Sequence, residues 1–514
     1  MNNAPHTPSW RAWWLLCAGL FLLLAFALGS RGLNEPDEGR YANIARTMVV
    51  SGDWWEPRMS GYGHYDKPPL IYWTTAAAFR LFGINEWSAR APSLLGALLA
   101  LTGLGWAAWR LYGPRVAWWA VLVCGTSVQF FILARILTPD MLLAGWCALG
   151  IGAWAEARHR GGAWNWWAVS LLFWTLAWWT KATPALVPLA GLVVGLWLTG
   201  DGAGRHALRW PLLFPAILVL GSPWYLSMLH TYPELRGFFF GRELAGRMTG
   251  HVDGRRGSPF YYLGVSLVAW LPWWPLAAWS AWKIGVARAE RTARPILRKL
   301  GVEGCIVLVG LVIFSLASSK LPTYTVTLAP WAALLLARAI CATWVTDARP
   351  WPRAQHGVAI GFAIFAAIGV MLLPRFESSL KVNSSLREVA RETQSNGPRV
   401  VFADRYWQGL EVYLGPERVR YVAADERLRE RKSDLGIPPE LFLNPHDDAW
   451  RELPANDPLR LNGAQEIWLV HFLKQERSPF ADWLKSGQST RAGDFELVPA
   501  RVENGVVVKE HSQG

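Results

Sequence analysis

Charge is what this sequence has least of. Only 17% of its 514 residues are charged, against roughly 25% in soluble globular domains, so an ordinary water-soluble protein of this length is excluded. Cysteine is scarce as well. The five present (Cys17, Cys124, Cys147, Cys305 and Cys341) all lie in apolar segments, and the polar C-terminal stretch has none. No disulfide framework is implied, and the thiols do not report a compartment. There is no internal repeat, no low-complexity stretch and no glycine-rich nucleotide-binding loop. The apolar N-terminal run has no small-residue cleavage site and is expected to be a retained anchor.

What fills the space is apolar. Hydrophobic residues make up 52% of the chain and tryptophan alone reaches 34 copies. Several apolar runs approach the ~20 residues that a helix needs to cross a ~30 Å hydrocarbon core. Trp13-Trp14, Trp118-Trp119, Trp166-Trp167, Trp178-Trp179 and Trp273-Trp274 sit near the ends of such runs, where amphipathic rings favour the membrane interface. The expected architecture is an α-helical polytopic membrane protein with about eleven spans. They fall near 12–33, 88–109, 116–134, 140–157, 164–180, 184–199, 210–229, 260–282, 302–318, 322–341 and 355–373. With the N-terminus cytoplasmic, Arg110/Arg115, Arg158/Arg160, Arg205/Arg209, Arg349/Arg353 and the basic linker from Lys283 to Lys299 all land inside. The net charge of +13 therefore reports topology and lipid headgroups, not nucleic acid.

Two external segments are long and polar, 34–87 and 230–259. Beyond residue 375 the composition turns polar. Arg399–Ala403, Glu466–Phe472 and Val506–Lys509 read as strands, and 383–395 and 478–486 as helices. This predicts a soluble α/β domain over 376–514, external by the odd span count, after a membrane domain over 1–375.

The stretch Asn34-Glu35-Pro36-Asp37-Glu38-Gly39-Arg40-Tyr41 opens the first external segment. Tyr41, Ile44, Ala45 and Met48 recur at helical spacing, so 37–50 reads as an amphipathic helix lying at the outer interface. Asp37, Arg40 and Tyr41 share one side of it. A carboxylate beside a guanidinium and a phenol can place a nucleophile next to a phosphate. Equally, Pro36 and two first-turn acids are ordinary helix-start chemistry. Further on, Lys67 precedes Pro68, Pro69 and an apolar helix, either as a snorkelling anchor or as a phosphate ligand. Asp140, Lys181 and Lys320 each stand as a lone charge in an external turn; for Asp140, Thr138 as cap and Pro139 offer a first-turn reading. Lys181, Lys320, Arg236, Arg242, Arg247, Arg255 and Arg256 run against the inside bias. Cations gathered there point to an anionic ligand at the outer leaflet.

Pro36-Asp37-Glu38-x-Arg40-Tyr41, then Tyr65-Asp66-Lys67-Pro68-Pro69-Leu70-x-Tyr72-Trp73, then Lys320-Leu321-Pro322-x-Tyr324 resemble the motifs of the aminoarabinose transferase and protein mannosyltransferase group. These are GT-C membrane glycosyltransferases, and the similarity runs in order over about 1–375. The resemblance implies an inverting transfer of a monosaccharide from a polyprenyl-phosphate carrier to a lipid A-like, glycan or protein acceptor. It places the chain in the bacterial inner membrane, with the chemistry on the periplasmic face. By position Asp37 would be the acid at the reaction centre and Asp140 the second acid. Arg40, Tyr41, Lys67, Arg247, Lys320 and Tyr324 would lie near the carrier phosphate. Relatives of the aminoarabinose enzyme often carry Glu-His in the second loop and Glu before the Lys of Lys-Pro-Pro-Leu. Here Glu243-Leu244, with Arg247 following, and Asp66 stand instead. A metal site drawn from these with His64 and His251 would be short of the three or four ligands that zinc takes; solvated loop histidines are the other reading. No cofactor is required. A flippase or transporter predicts charges within spans and paired broken helices; a non-catalytic receptor predicts that the tail alone matters.

Overall fold

A computed structural model gives the fold. It describes residues 7–60, 62–246, 257–276, 278–279, 282, 296–343, 353–376, 385–395, 400–403, 407–415, 418–422, 442–443, 465–472, 489–493, 495–503 and 506–509. The chain divides into two compact units: 1–28, 65–74 and 90–371 form the first, and 29–64, 75–89 and 372–514 the second.

The helices, in chain order, are α1 (Trp10–Ala25), α2 (Asp37–Ser51), α3 (Leu70–Phe82), α4 (Glu86–Tyr112), α5 (Pro114–Gly125), α6 (Val128–Leu133), α7 (Pro139–His159), α8 (Trp164–Leu198), α9 (Gly202–Leu208), α10 (Trp210–Gly221) and α11 (Pro223–Thr231). A π-helical segment (Gly237–Gly246) precedes α12 (Tyr261–Ala269) and α13 (Ile296–Leu316). A 3-10 helix (Pro322–Leu328) leads into α14 (Ala329–Thr343), followed by α15 (Arg353–Phe376), α16 (Ser385–Ser395) and α17 (Gln408–Leu414). Among the described residues, four stretches are long and apolar enough to cross a membrane: Glu86–Tyr112, Trp164–Leu198, Gly202–Thr231 and Pro322–Ala342. Shorter apolar helices run over Trp10–Ala25, Gly301–Leu316 and Gly357–Leu372. The chain is a multi-pass membrane protein.

Spans 164–180 and 184–199 are both present: they are the two helices written together as α8, parted at Lys181, whose φ of −161° and ψ of 83° leave the helix. Pro184 and Pro188 follow the break, and neither can supply the amide that an unbroken helix would need. The expected span 260–282 is interrupted: α12 ends in a turn over 270–272, and helix resumes at 273–276. A helix that the span reading did not count, α3, fills the end of the first external segment.

In the first unit, helices approach at small residues, as expected where lipid is as apolar as leucine and close van der Waals contact has to hold the bundle. A Cβ on Gly96 would lie 2.6 Å from backbone atoms of Leu142, and one on Gly145 2.6 Å from the Gly96 carbonyl, so α4 and α7 touch main chain to main chain. Gly191 lies as close to Ile306, seating the second half of α8 on α13. Polar side chains find partners inside the bundle. Glu156, 1% exposed, accepts from Trp106 (3.0 Å), Arg110 and Arg160 (2.6 Å). Glu303 accepts from Tyr112 (2.8 Å) and pairs with Arg338. The arginines at helix ends, which sequence placed by charge bias alone, are thus also structural.

The second unit holds the α2 segment and a seven-stranded sheet. Its strands, after a small hairpin of β1 (Arg58–Met59) and β2 (Tyr62–Gly63), are β3 (Val400–Ala403), β4 (Val419–Val422), β5 (Phe442–Leu443), β6 (Gln465–Phe472), β7 (Thr490–Ala492), β8 (Phe495–Glu503) and β9 (Val506–Lys509). The order is β5-β4-β3-β6-β8-β7, with β9 also on β8. The first four are mutually parallel and the rest antiparallel. Alternating burial along β8 marks one covered face. All three strands read from sequence are present, as is the helix near 383–395; the helix expected over 478–486 lies outside the described residues.

Since Gly96 faces backbone, a side chain there cannot be accommodated by a rotamer change. Gly96→Val should lower the thermal unfolding midpoint in detergent, by an overpacking cost of about 2 kcal/mol. A midpoint equal to wild type would mean that α4 and α7 are not packed this closely.

Candidate functional site

The expected site residues fall in both units, and each group is built locally. In the second unit, α2 starts at Asp37, two residues after Glu35. Arg40 donates from Nη2 to Asp37 Oδ1, and its guanidinium carbon lies 5.7 Å from the Tyr41 ring centroid. The expected clustering of Asp37, Arg40 and Tyr41 is therefore present. Their environments differ. Tyr41 is buried at 6% exposure, whereas the Asp37 side chain is 48% exposed.

The three acids of this stretch are divided among three tasks. Glu35 accepts from the Gly409 amide. Glu38, fully buried, accepts from the Asn34 amide at 2.9 Å and meets Arg31 at 3.7 Å. Helix-start chemistry is thus done by Glu38, and Asp37 is left to face Arg40. One expectation is corrected: the apolar stripe is not the only covered face of α2. Gly39, Ala42 and Asn43 are buried as well as Tyr41, Ile44, Ala45 and Met48, because α2 packs on α17 through a second face of small residues.

In the first unit, Lys67 is buried rather than snorkelling: its ammonium lies 2.9 Å from Asp66 Oδ1 and donates to the Asp66 carbonyl at 2.9 Å. The flanking aromatics meet the second external segment. Tyr65 stacks on Tyr232 with centroids 5.5 Å apart, and a cluster of Trp224, Met228 and Phe239 gathers Tyr65, Trp179 and Tyr225 around it. Trp73 on α3 contacts Trp179 on α8 at 5.4 Å, two residues before the break at Lys181. Planar apolar walls of this kind suit a sugar face or an isoprenoid chain. The sequence reading named Tyr65 and Trp73, and Trp179 only as an interfacial ring, but not Trp224, Tyr232 or Phe239, whose spacing is that of any interfacial aromatic.

The largest correction concerns Lys181. It is no lone turn residue: its ammonium donates to Asp140 Oδ1 at 2.6 Å, with side chains 8% and 6% exposed, and lies 4.5 Å from the Tyr324 ring centroid. The break in α8 and the start of α7 bring the two charges together, and the 3-10 helix supplies the ring. Asp140 thus has a partner beyond helix-start chemistry. Thr138 occupies the cap position but makes no capping bond, and its buried hydroxyl has no partner there. Lys320 is buried, donates to the Ala317 carbonyl at 2.6 Å and packs its stem at Gly257. Arg247 and His251 lie outside the described residues, as does the side chain of Glu243. His64 is buried, not a solvated loop histidine. Among the described residues, no three His, Cys, Asp or Glu side chains gather in a way that could hold a metal.

Comparison with known proteins is consistent across sequence and fold. The dolichyl-phosphate-mannose-protein mannosyltransferase family matches residues 66–226. An undecaprenyl phosphate-alpha-4-amino-4-deoxy-L-arabinose arabinosyl transferase 2 of Proteus mirabilis is 31% identical over 336 residues, 63% of this chain and 58% of the relative. The corresponding arabinosyl transferase of Shewanella sediminis is 30% identical over 363 residues, 69% of this chain and 64% of the relative. Each match spans less than two thirds of the relative's own length. In structure, the chain is similar to ArnT from Cupriavidus metallidurans bound to undecaprenyl phosphate, with a TM-score of 0.70 at 24% identity, covering 96% of this chain and 98% of that one. The apo form of that protein gives 0.67. The chain has this fold, and it resembles the aminoarabinose-transferase group of membrane glycosyltransferases in fold, motifs and sequence.

Breaking a buried pair strands a charge. Lys181→Ala should destabilise the protein by about 3 kcal/mol or more. Lys181→Met combined with Asp140→Leu should recover most of that loss in the unfolding midpoint. If Lys181→Ala leaves the midpoint unchanged, the pair is solvated and the buried contact is wrong.

Proposed function

From this fold and these relatives, we propose that the chain is an inverting GT-C glycosyltransferase of the bacterial inner membrane. It moves a monosaccharide from a polyprenyl-phosphate carrier to a lipid A-like, glycan or protein acceptor. The proposed topology has about eleven spans, with the reaction and a soluble α/β domain on the periplasmic side, as the loop charge bias supports. Residues 1–375 are proposed as the membrane domain, with 34–87 and 230–259 as its external cap, and 376–514 as the soluble domain.

The observation that carries this reading is the buried Lys181–Asp140 pair under Tyr324, at the break in α8. Ionisable groups within a membrane bundle are costly, and they are kept where they serve a reaction or a ligand. In the proposed transfer, an acceptor oxygen attacks the anomeric carbon as its bond to the carrier phosphate breaks, and the phosphate departs with growing negative charge. Asp37, the exposed acid of α2, orients the acceptor or takes its proton. Arg40, Tyr41, Lys67, Arg247, Lys320 and Tyr324 are the residues proposed to serve the carrier phosphate, as the family motifs imply. Cations fixed in advance stabilise the leaving charge without reorganising at the moment of reaction. Asp140, proposed as the second acid of the site, also holds Lys181 in place as a further cation.

Two measurements test the reading. Transfer from purified polyprenyl-phosphate sugar in detergent should fall by ~10²-fold for Asp37→Asn, as expected for a positioned base. Lys67→Ala should raise the donor KM and also lower kcat. A near-wild-type rate for Asp37→Asn would return that residue to helix-start duty, and unchanged donor kinetics for Lys67→Ala would move the carrier phosphate elsewhere. For topology, a cysteine at Thr490, an exposed position of β7, should react with an impermeant thiol reagent in intact spheroplasts. Labelling only after lysis would reverse the orientation.

A further inference from the structure

Behind the face of α2 that presents Asp37 and Arg40 lies a buried carboxylate that the transfer reading does not use. Glu411, on α17, is 2% exposed. Its Oε2 accepts from Asn43 Nδ2 at 2.6 Å and from Ser60 Oγ at 2.7 Å; its Oε1 lies 2.8 Å from Ser60 Oγ and 2.9 Å from the Tyr421 hydroxyl. One carboxylate thus ties three chain segments together: α2 through Asn43, the turn of the β1–β2 hairpin through Ser60, and β4 through Tyr421. Two further contacts fix the same seat. Asn43 Nδ2 also donates to the Gln408 carbonyl at 3.3 Å, and Glu35, just before α2, accepts from the Gly409 amide on α17. The helices touch at main chain: a Cβ on Gly39 would lie 2.7 Å from the Gly409 nitrogen. Burial pushes the Glu411 carboxyl upward, against the three donors that favour its charged form. A buried acid held at such a cost needs a reason, and packing alone would be served by an apolar residue.

We propose that Glu411 is a positioning residue for glycosyl transfer: by binding Asn43, Ser60 and Tyr421 together, it sets the seat of α2 and so the placement of Asp37 and Arg40. This rests on the reading of α2 as the reacting helix. It also assigns a task to the C-terminal unit, which is to hold a segment from the first 60 residues of the chain in register. Small displacements of a reacting group cost large factors in rate, so the position of α2 is where such a device would be felt.

The test exchanges the two partners. Asn43→Asp alone sets carboxylate against carboxylate; Glu411→Gln alone sets amide against amide. In the double exchange the introduced amide can donate to the introduced carboxylate, while its carbonyl still accepts from Ser60 or Tyr421. The readouts are transfer at saturating donor, well below each variant's unfolding midpoint, and hydrogen exchange of the α2 amides. Each single exchange should lower kcat by about tenfold or more and speed exchange in α2; the double should recover both. Ser60→Ala, a milder change, should show a smaller loss of the same kind. A structural role alone is separated by a cycle with Asp37: in an Asp37→Asn background, Glu411→Gln should add little further loss. Multiplying losses would overturn the proposal, as would unchanged α2 exchange in the single variants or a double exchange that restores protection without rate. If Asp37→Asn were itself fully active, the reading of α2 as the reacting helix would fail first, and the positioning role with it.

Discussion

The ion pair between Lys181 and Asp140 organises the membrane unit. A lysine between two apolar helices would be untenable if it faced lipid. The backbone leaves helical geometry at that residue, two prolines follow, and the ammonium turns to a carboxylate at the first turn of α7. The break therefore sets the positions of α7, both halves of α8 and the 3-10 helix whose Tyr324 covers the ammonium. Such a pair adds little net stability over an apolar packing of the same shape, because desolvation consumes most of the attraction. Its presence therefore calls for a reason other than the stability of the bundle.

Elsewhere in that unit the same constraint has ordinary solutions. Lipid offers backbone and side-chain polar groups nothing to bond, so each must find a partner inside. Glu156 gathers Trp106, Arg110 and Arg160; Glu303 gathers Tyr112 and Arg338. Glycines then let the helices come close enough for those reaches to close. Gly96 and Gly145 face one another between α4 and α7, and Gly191 faces Ile306 on α13. This packing gives the break in α8 rigid neighbours.

Sequence made the local features legible and hid the distant ones. The start and end of α2, the strands β3, β6 and β9, and the helix α16 follow from periodicity and turn residues, signals that act within a few positions. So did the grouping of Asp37, Arg40 and Tyr41, which are a turn apart. Lys181 was misread as a lone charge because its partner is 41 residues away, and Glu411 was passed over because Asn43 is 368 residues away. Neither pairing leaves a trace in spacing. Thr180-Lys181-Ala182-Thr183-Pro184 has the composition of a break, and the backbone leaves the helix there, so the two expected spans were legible. The second covered face of α2 was not legible because glycine, alanine and asparagine do not register as a buried face, though against another helix they make the closest one.

That close face also explains why the acids of the first external segment are not equivalent. Glu35, Asp37 and Glu38 stand within four positions, and by composition any of them could serve as the reacting acid. Glu35 is spent on the Gly409 amide, which fixes the entry to α2 against α17. Glu38 is fully buried, holding the Asn34 amide and facing Arg31, so it closes the turn before the helix. Asp37, half exposed, is left with Arg40 beside it as its partner. Gly39 is what permits this division. A side chain there would strike the Gly409 amide, and α2 would lift from α17. The run from Pro36 to Tyr41 is therefore two structures interleaved, one that docks the helix and one that presents an acid and a guanidinium from its free side.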